Sequence, residues 1–139
     1  MKSATFIVEG EPTPKGRPRV RVVNGKFAQV YTDAKTREYE KKVGEEYKVQ
    51  VGYKFDCPVS VHITCVHGVP KSATKKRKQD MLDGLEYPVK NDIDNCFKAC
   101  ADGLQGIAYD NDSQIVKMSG EKRYGENAHV LIKISEVCL

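Results

Sequence analysis

The sequence predicts an α+β fold, a small mixed sheet covered by helices in a single domain spanning residues 1–139. Three observations carry that expectation. Apolar and polar residues alternate in short stretches, as where Val59, Val61, Ile63 and Cys65 are interleaved with Ser60, His62 and Thr64. Elsewhere apolar residues recur at helical spacing, in Tyr39, Val43 and Tyr47 and again in Ile93, Phe97, Cys100 and Leu104. At 139 residues with 40% hydrophobic content the chain is large enough to bury one core, and it shows no internal repeat and no low-complexity linker.

The elements follow in order. Residues 5–9 alternate and read as a first strand. Residues 12–18 form a rigid segment, broken by Pro12, Pro14, Gly16 and Pro18. Residues 20–23 and 26–30 flank Asn24-Gly25, the strongest short hairpin signal. Thr32 or Asp33 caps a helix that runs to about Val51 and is ended by Gly52. A half-buried strand covers 59–65. Residues 72–85 read as a charged, Ser-capped helix with Met81, Leu82 and Leu85 as its apolar positions. A further, clearer helix covers 94–105, capped by Asp94 and closed by Gly106. Two strands, 114–124 and 128–136, are joined by a turn at Gly125-Glu126-Asn127, the second turning Ala128, Val130, Ile132 and Ile134 inward.

Composition narrows the function classes. With 30% charged and 40% hydrophobic residues the chain is not expected to be disordered. No apolar run approaches the roughly 20 residues of a membrane span, and the N-terminal stretch lacks the apolar core of a signal peptide, so the expected location is cytoplasmic. The five cysteines, Cys57, Cys65, Cys96, Cys100 and Cys138, are odd in number and read as free thiols. No Cys-x-x-Cys or His pair completes a zinc set, and His62, His67 and His129 have no partner spacing. No Ser-His-Asp or Cys-His nucleophile arrangement can be singled out. No glycine-rich phosphate loop opens a helix, so no nucleotide cofactor is expected.

Charge is distributed unevenly. Residues 92–112 hold five Asp (Asp92, Asp94, Asp102, Asp110 and Asp112) and one Lys, a net of −4 in a chain of +4, leaving +8 on the remainder. Clustered carboxylates repel one another unless a cation lies among them, and a hard divalent ion with oxygen ligands would serve. A basic body around such a centre suits an enzyme acting on a polyanion, with nucleic acid foremost. If the chain is extended at 92–94, Asp92 and Asp94 point to one side. Asp94, Lys98 and Asp102 stand at i, i+4 and i+8 on a helical face away from the apolar stripe. Asp112 can fold back toward them. Two or three carboxylates and a lysine at one point support phosphodiester hydrolysis with Mg²⁺ or Mn²⁺. The bland alternative is capping, a turn at Asp110-Asn111-Asp112, and surface ion pairs of about 0.3–0.5 kcal/mol each.

The run Asp92-Ile93-Asp94-Asn95, Lys98, Asp102-Gly103-Leu104, Gly106 and Asp112-Ser113-Gln114-Ile115-Val116 resembles the RusA family of Holliday junction resolvases. Pro12-Thr13-Pro14-Lys15-Gly16-Arg17-Pro18-Arg19 and Lys122-Arg123-Tyr124-Gly125 resemble its phage and prophage members, so the likeness covers nearly the whole chain. It implies a RusA-like fold and a homodimeric endonuclease, dependent on Mg²⁺ or Mn²⁺, that resolves four-way DNA junctions by paired symmetric nicks in recombination and repair. It implies Asp92, Asp94 and Asp112 as metal-binding catalytic carboxylates, Lys98 as the catalytic or phosphate-contacting lysine, and a supporting role for Asp102. Two departures stand out: Lys90-Asn91 replaces the family's Lys-Pro, and Asn111 replaces the first of two adjacent acids, with Asp110 as a rival to Asp112 if the loop is offset. Asn111 motivates an alternative, a junction-binding protein without cleavage activity; a less structure-selective metal-dependent nuclease is another.

Basic residues supply the expected DNA contacts. Lys15, Arg17, Arg19 and Arg21 alternate, so an extended chain lines them along one side. A second cluster, Lys71, Lys75, Lys76, Arg77 and Lys78, falls on the charged helix, where its cations spread around the circumference. The expected DNA-binding set is Lys15, Arg17, Arg19, Arg21, Lys75, Lys76, Arg77 and Lys90. Phe27, Tyr31 and Tyr39 read as core residues.

Overall fold

A four-stranded mixed sheet carries the helices that bear the acidic stretch. In the computed structural model, which describes residues 2–16, 19–25, 27–31 and 33–137, the elements are β1 (Ser3–Glu9), β2 (Arg19–Val23), β3 (Phe27–Tyr31), α1 (Ala34–Gln50), β4 (Val59–Gly68), α2 (Lys75–Leu82), α3 (Ile93–Leu104), a 3-10 turn (Asp112–Gln114), β5 (Ile115–Gly125) and β6 (His129–Glu136). Strands run in the order β1-β6-β4-β5, with β4 parallel to β5 and antiparallel to β6, while β2 and β3 form a separate two-stranded sheet. This is the mixed α+β architecture expected from the alternation and the helical stripes.

Register explains the core. Phe6 lies opposite Ile132, Ile132 opposite Ile63, and Ile63 opposite Gly120, so one row crosses all four strands. Phe6, Ile63 and Ile132 are buried in one core cluster with Tyr39, Val43 and Tyr47 of α1 and Phe97, Cys100 and Leu104 of α3. The Phe6 and Tyr47 rings meet edge to face at 5.3 Å. Cys65, Cys96 and Cys100 are buried free thiols within this core. At Asn24-Gly25 both residues have positive φ, 55° and 68°, as the predicted two-residue hairpin requires.

Three expectations are corrected, and the sheet adds a feature that local pattern does not show: β5 and β6, joined by a short turn as expected, do not pair with each other, because β4 lies between them and pairs with both. The connection at 126–128 therefore spans two strand spacings, roughly 10 Å. The central place of β4 also buries Thr64 and His67, so this strand is more than half-buried. The charged helix is shorter than 72–85. Thr74, not Ser72, caps it, its side chain accepting from Arg77 N at 3.2 Å, and Gly84 at φ +80° ends it, leaving Leu85 75% exposed. Asp92, not Asp94, is the N-cap of α3. The chain is therefore already helical from Ile93, and the extended 92–94 geometry does not form. Of the two proposed caps of α1, Asp33 serves, accepting from Thr36 N at 2.8 Å; Thr32 lies outside the described residues.

Helices α1 and α3 cross where Gly44 meets Gly103. A Cβ at 103 would fall 2.7 Å from Glu40 O and 3.1 Å from Glu40 Cα and Val43 Cβ, and one at 44 would fall 2.9 Å from Gly103 O. The obstacle is helix backbone, which cannot rotate aside. Gly103→Ala is expected to cost about 1–3 kcal/mol, read as a lower urea midpoint at unchanged slope.

Candidate active site

Helix α3 presents the acidic stretch one turn at a time. Asp92 precedes it and Asp94 sits in its first turn, where the positive end of the helix dipole favours carboxylates. Both side chains are exposed, and among the described residues neither forms an ion pair; Asp94 Oδ1 accepts only the Asn95 N–H at 3.0 Å. Lys98 follows on the same face. Its ammonium lies 3.1 Å from Asp102 Oδ1, one turn on, and 3.6 Å from Asp112 Oδ2. The hydrogen bond that Lys98 donates to Asp102, with the charges of Asp102 and Asp112, raises the Lys98 pKa, which keeps the ammonium charged at neutral pH.

Asp112 returns to Lys98 because the intervening loop is folded onto the end of α3. Tyr109, fully buried, donates its hydroxyl to Ala101 O at 2.6 Å, and Gly106 N donates to Tyr109 O at 2.7 Å. Burial raises the Tyr109 pKa, and the nearby Asp112 and Asp102 charges add to the effect. Asn111 caps the 3-10 turn, Oδ1 accepting from Ser113 N at 2.9 Å, while Gln114 Oε1 accepts from Asn111 N at 3.3 Å. Gln114 Nε2 donates to the carbonyls of Phe55 and Cys57 at 3.1 and 3.0 Å. The residue that departs from the family pattern thus performs a local backbone task. Asp110, the rival carboxylate, is instead ion-paired with Lys54.

The fit to a divalent cation rests on donor chemistry. Asp92, Asp94 and Asp112 offer only oxygens, as hard cations prefer. Among the described residues no three His, Cys, Asp or Glu side chains are grouped closely enough to hold one ion. A closed protein cage is therefore not preformed. Mg²⁺ commonly keeps several waters and takes one or two carboxylates together with substrate phosphate oxygens, a mode open to exposed carboxylates such as Asp92 and Asp94.

The basic residues fall on several elements. Arg19 and Arg21 are two apart on β2, while Arg17 and the Arg19 side chain lie outside what is described. Lys75, Lys76 and Arg77 are exposed on α2, Arg77 being held by Glu86 at 2.7 Å. Lys90 is exposed two residues before Asp92. Lys15 is turned inward, onto Glu40 and onto Asp102 Oδ2 at 3.1 Å. Tyr39 is buried as expected, whereas the side chains of Phe27 and Tyr31 lie outside the described set. His62 bonds Ser119 at 2.7 Å, His67 is buried beside Glu11 at 3.5 Å, and His129 bonds Asn127 O at 2.9 Å. Burial lowers the His67 pKa, with Glu11 opposing and Lys122 reinforcing the shift.

Sequence reasoning missed Glu40, Asn91 and Tyr109 as parts of the site. Asn91 has φ +66°; its Nδ2 reaches Pro12 O at 3.4 Å and its carbonyl accepts from Lys122 Nζ at 3.2 Å. Proline, locked near φ −65°, cannot adopt that conformation. The replacement at 91 therefore changes backbone path and not only stiffness. Asn91→Pro is expected to destabilise the fold by about 1–3 kcal/mol, and Asn91→Gly by less, as measured by chemical denaturation.

Comparison with known proteins bears on this geometry. Residues 9–135 match the family model described as endodeoxyribonuclease RusA. The chain is also 34% identical over 143 residues to the uncharacterized protein YqaN of Bacillus subtilis (strain 168), covering 99% of each chain. The match takes in α1, α3, the 3-10 turn and every acidic residue placed above. The chain belongs to the RusA family of endodeoxyribonucleases, resolvases of Holliday junctions.

Proposed function

We propose that this protein cleaves four-way DNA junctions in a metal-dependent reaction, through Asp92, Asp94 and Asp112 as metal-binding carboxylates and Lys98 as the phosphate-facing lysine. The observation that carries the reading is the placement of Lys98. Within a resolvase family, its charged ammonium is held by Asp102 and Asp112 one turn on from Asp94, which with Asp92 at the helix start forms no ion pair among the described residues. Bound Mg²⁺, or Mn²⁺ in its place, would polarise the scissile phosphate and lower the pKa of the attacking water. The chain's own residues do the rest. Lys98 offers its N–H donors to charge developing on the phosphate oxygens. Asp102 and Asp112 orient that ammonium, Asp112 facing it across 3.6 Å. Arg17, Arg19, Arg21, Lys75, Lys76, Arg77 and Lys90 contribute backbone contacts that position the junction without reading its sequence. Lys15 is ion-paired to Glu40 and Asp102 and is largely turned from solvent.

Paired nicks of like polarity require two sites related by a two-fold axis, so the acting species is a homodimer. No described helix is long and apolar enough to cross a membrane, and a cytoplasmic location fits a DNA substrate.

Cleavage of a synthetic four-way junction against linear duplex, with Mg²⁺, Mn²⁺ or chelator, tests the reading. Symmetric nicks on the junction alone are expected, with light scattering reporting a dimer. Asp94→Asn and Lys98→Met should each lower the single-turnover rate by about 100-fold or more while junction binding persists. Equal cleavage of duplex would identify a general nuclease, and tight junction binding with no product in either metal would identify a binder that does not cut.

A further inference from the structure

We infer that Lys15, which the sequence assigns to DNA contact, and Glu40, which lies outside the acidic motif, are positioning residues that set the active-site lysine through Asp102. The inference rests on the reading of Lys98 as the phosphate-facing group. Asp102 is shared between two lysines: Oδ1 takes Lys98 at 3.1 Å and Oδ2 takes Lys15 at 3.1 Å. Bound through one oxygen alone, the carboxylate could swing about its terminal torsion and carry Lys98 with it. The second lysine removes that freedom. Lys15 is itself held on three sides, by Glu40 of α1, by Asp102 of α3, and by its own backbone N–H, which donates to Asn95 O at 2.9 Å beside Asp94. Glu40, Lys15, Asp102, Lys98 and Asp112 thus form one alternating chain of charges from α1 to the 3-10 turn.

The exposures show where this chain is rigid. Lys15, Glu40 and Asp102 side chains are each about 20% exposed, whereas Lys98 and Asp112 are 53% and 41% exposed. The three inner members are the anchored end, and the ammonium facing solvent is the working end. Burial alone would lower the Lys15 pKa, but the hydrogen bonds and charges of Glu40 and Asp102 outweigh it and raise the pKa, so this lysine stays charged between them. Its removal would leave Asp102 with Lys98 as its one ion-pair partner among the described residues, and Glu40 with none. The Lys98 ammonium would be drawn toward Glu40 and Asp102 and away from its place beside Asp112.

A lysine in a basic segment would ordinarily be assigned to DNA phosphate, and the two roles give different measurements. Loss of a phosphate contact weakens binding and lowers the salt slope of the affinity by about 1. Loss of a positioning residue lowers the rate of the bound complex.

The experiment measures single-turnover cleavage at saturating enzyme, the junction dissociation constant across salt, and the melting temperature. The variants are Lys15→Met, Lys15→Arg, Asp102→Asn, the Lys15→Met/Asp102→Asn double variant and Glu40→Gln. Lys15→Met is expected to slow cleavage about 10- to 100-fold with unchanged affinity and salt slope. Lys15→Arg should recover most of the rate, and the double variant should be no slower than Asp102→Asn alone. Glu40→Gln keeps the Lys15 charge and should slow cleavage less than Lys15→Met, with binding again unchanged, which tests the chain if Lys15→Met fails to fold. Wild-type rate in both Lys15→Met and Glu40→Gln overturns the inference. So does a rate loss that appears as weaker binding with the salt slope reduced, or additive losses in the double variant. If the wild-type protein cleaves no junction in either metal, the functional reading fails and the inference falls with it.

Discussion

The close crossing of α1 and α3 is the constraint on which the site depends. Gly44 and Gly103 allow the two helix backbones to approach to a distance that a side chain at either position would forbid. That approach places Glu40 beside Asp102, and between these carboxylates Lys15 finds its seat. Core packing and site chemistry are coupled at this crossing. The buried stripes through Tyr39, Val43 and Tyr47 and through Phe97, Cys100 and Leu104 hold the helices together, and the opposite side of α3 is left to carry Asp94, Lys98 and Asp102.

A second constraint closes the site from the C-terminal side. The last turn of α3, the Tyr109 hydroxyl on Ala101 O and the Asn111–Gln114 capping box form a continuous set of backbone satisfactions. Burying this loop without those bonds would strand polar groups away from water. The result is that Asp112 stands opposite Lys98 while Asp110 turns outward to Lys54. The segment 10–16 ties the other end. Gly10 bonds Ala128, Glu11 lies on Gly68 and His67, Asn91 reaches Pro12, and Lys15 bonds Asn95, so the basic arm is fastened across the helices that hold the acids.

Much of this was legible along the chain. The alternation in β1, β4 and β6, the Asn24-Gly25 hairpin and both amphipathic helices follow from local periodicity and turn chemistry. Local reading falls short where a non-local strand intervenes and where the exact start of a helix is not encoded by propensity. Gly125-Glu126-Asn127 joins β5 to β6 as expected, but β4 lies between the two strands. Ser72 is a plausible cap, but Thr74 is the residue whose side chain meets a free helical N–H. Asp94 likewise has the chemistry of a cap, one turn-forming acid being indistinguishable from another two residues away until the helix start is known. The family resemblance carried what periodicity could not: which acids, and which lysine, belong together.

The sequence by itself determined the identity of the acidic face and its separation from the core, because helical periodicity assigns Asp94, Lys98 and Asp102 to one side and Phe97, Cys100 and Leu104 to another. It also determined membership of a nuclease family, through a motif whose order and spacing survive along nearly the whole chain. Only the tertiary structure decided that Lys98 also meets Asp112 and that Lys15 faces inward. Those outcomes depend on contacts between residues far apart in the chain, such as Lys15 with Asp102, and no local pattern of propensity or charge encodes the distance between them.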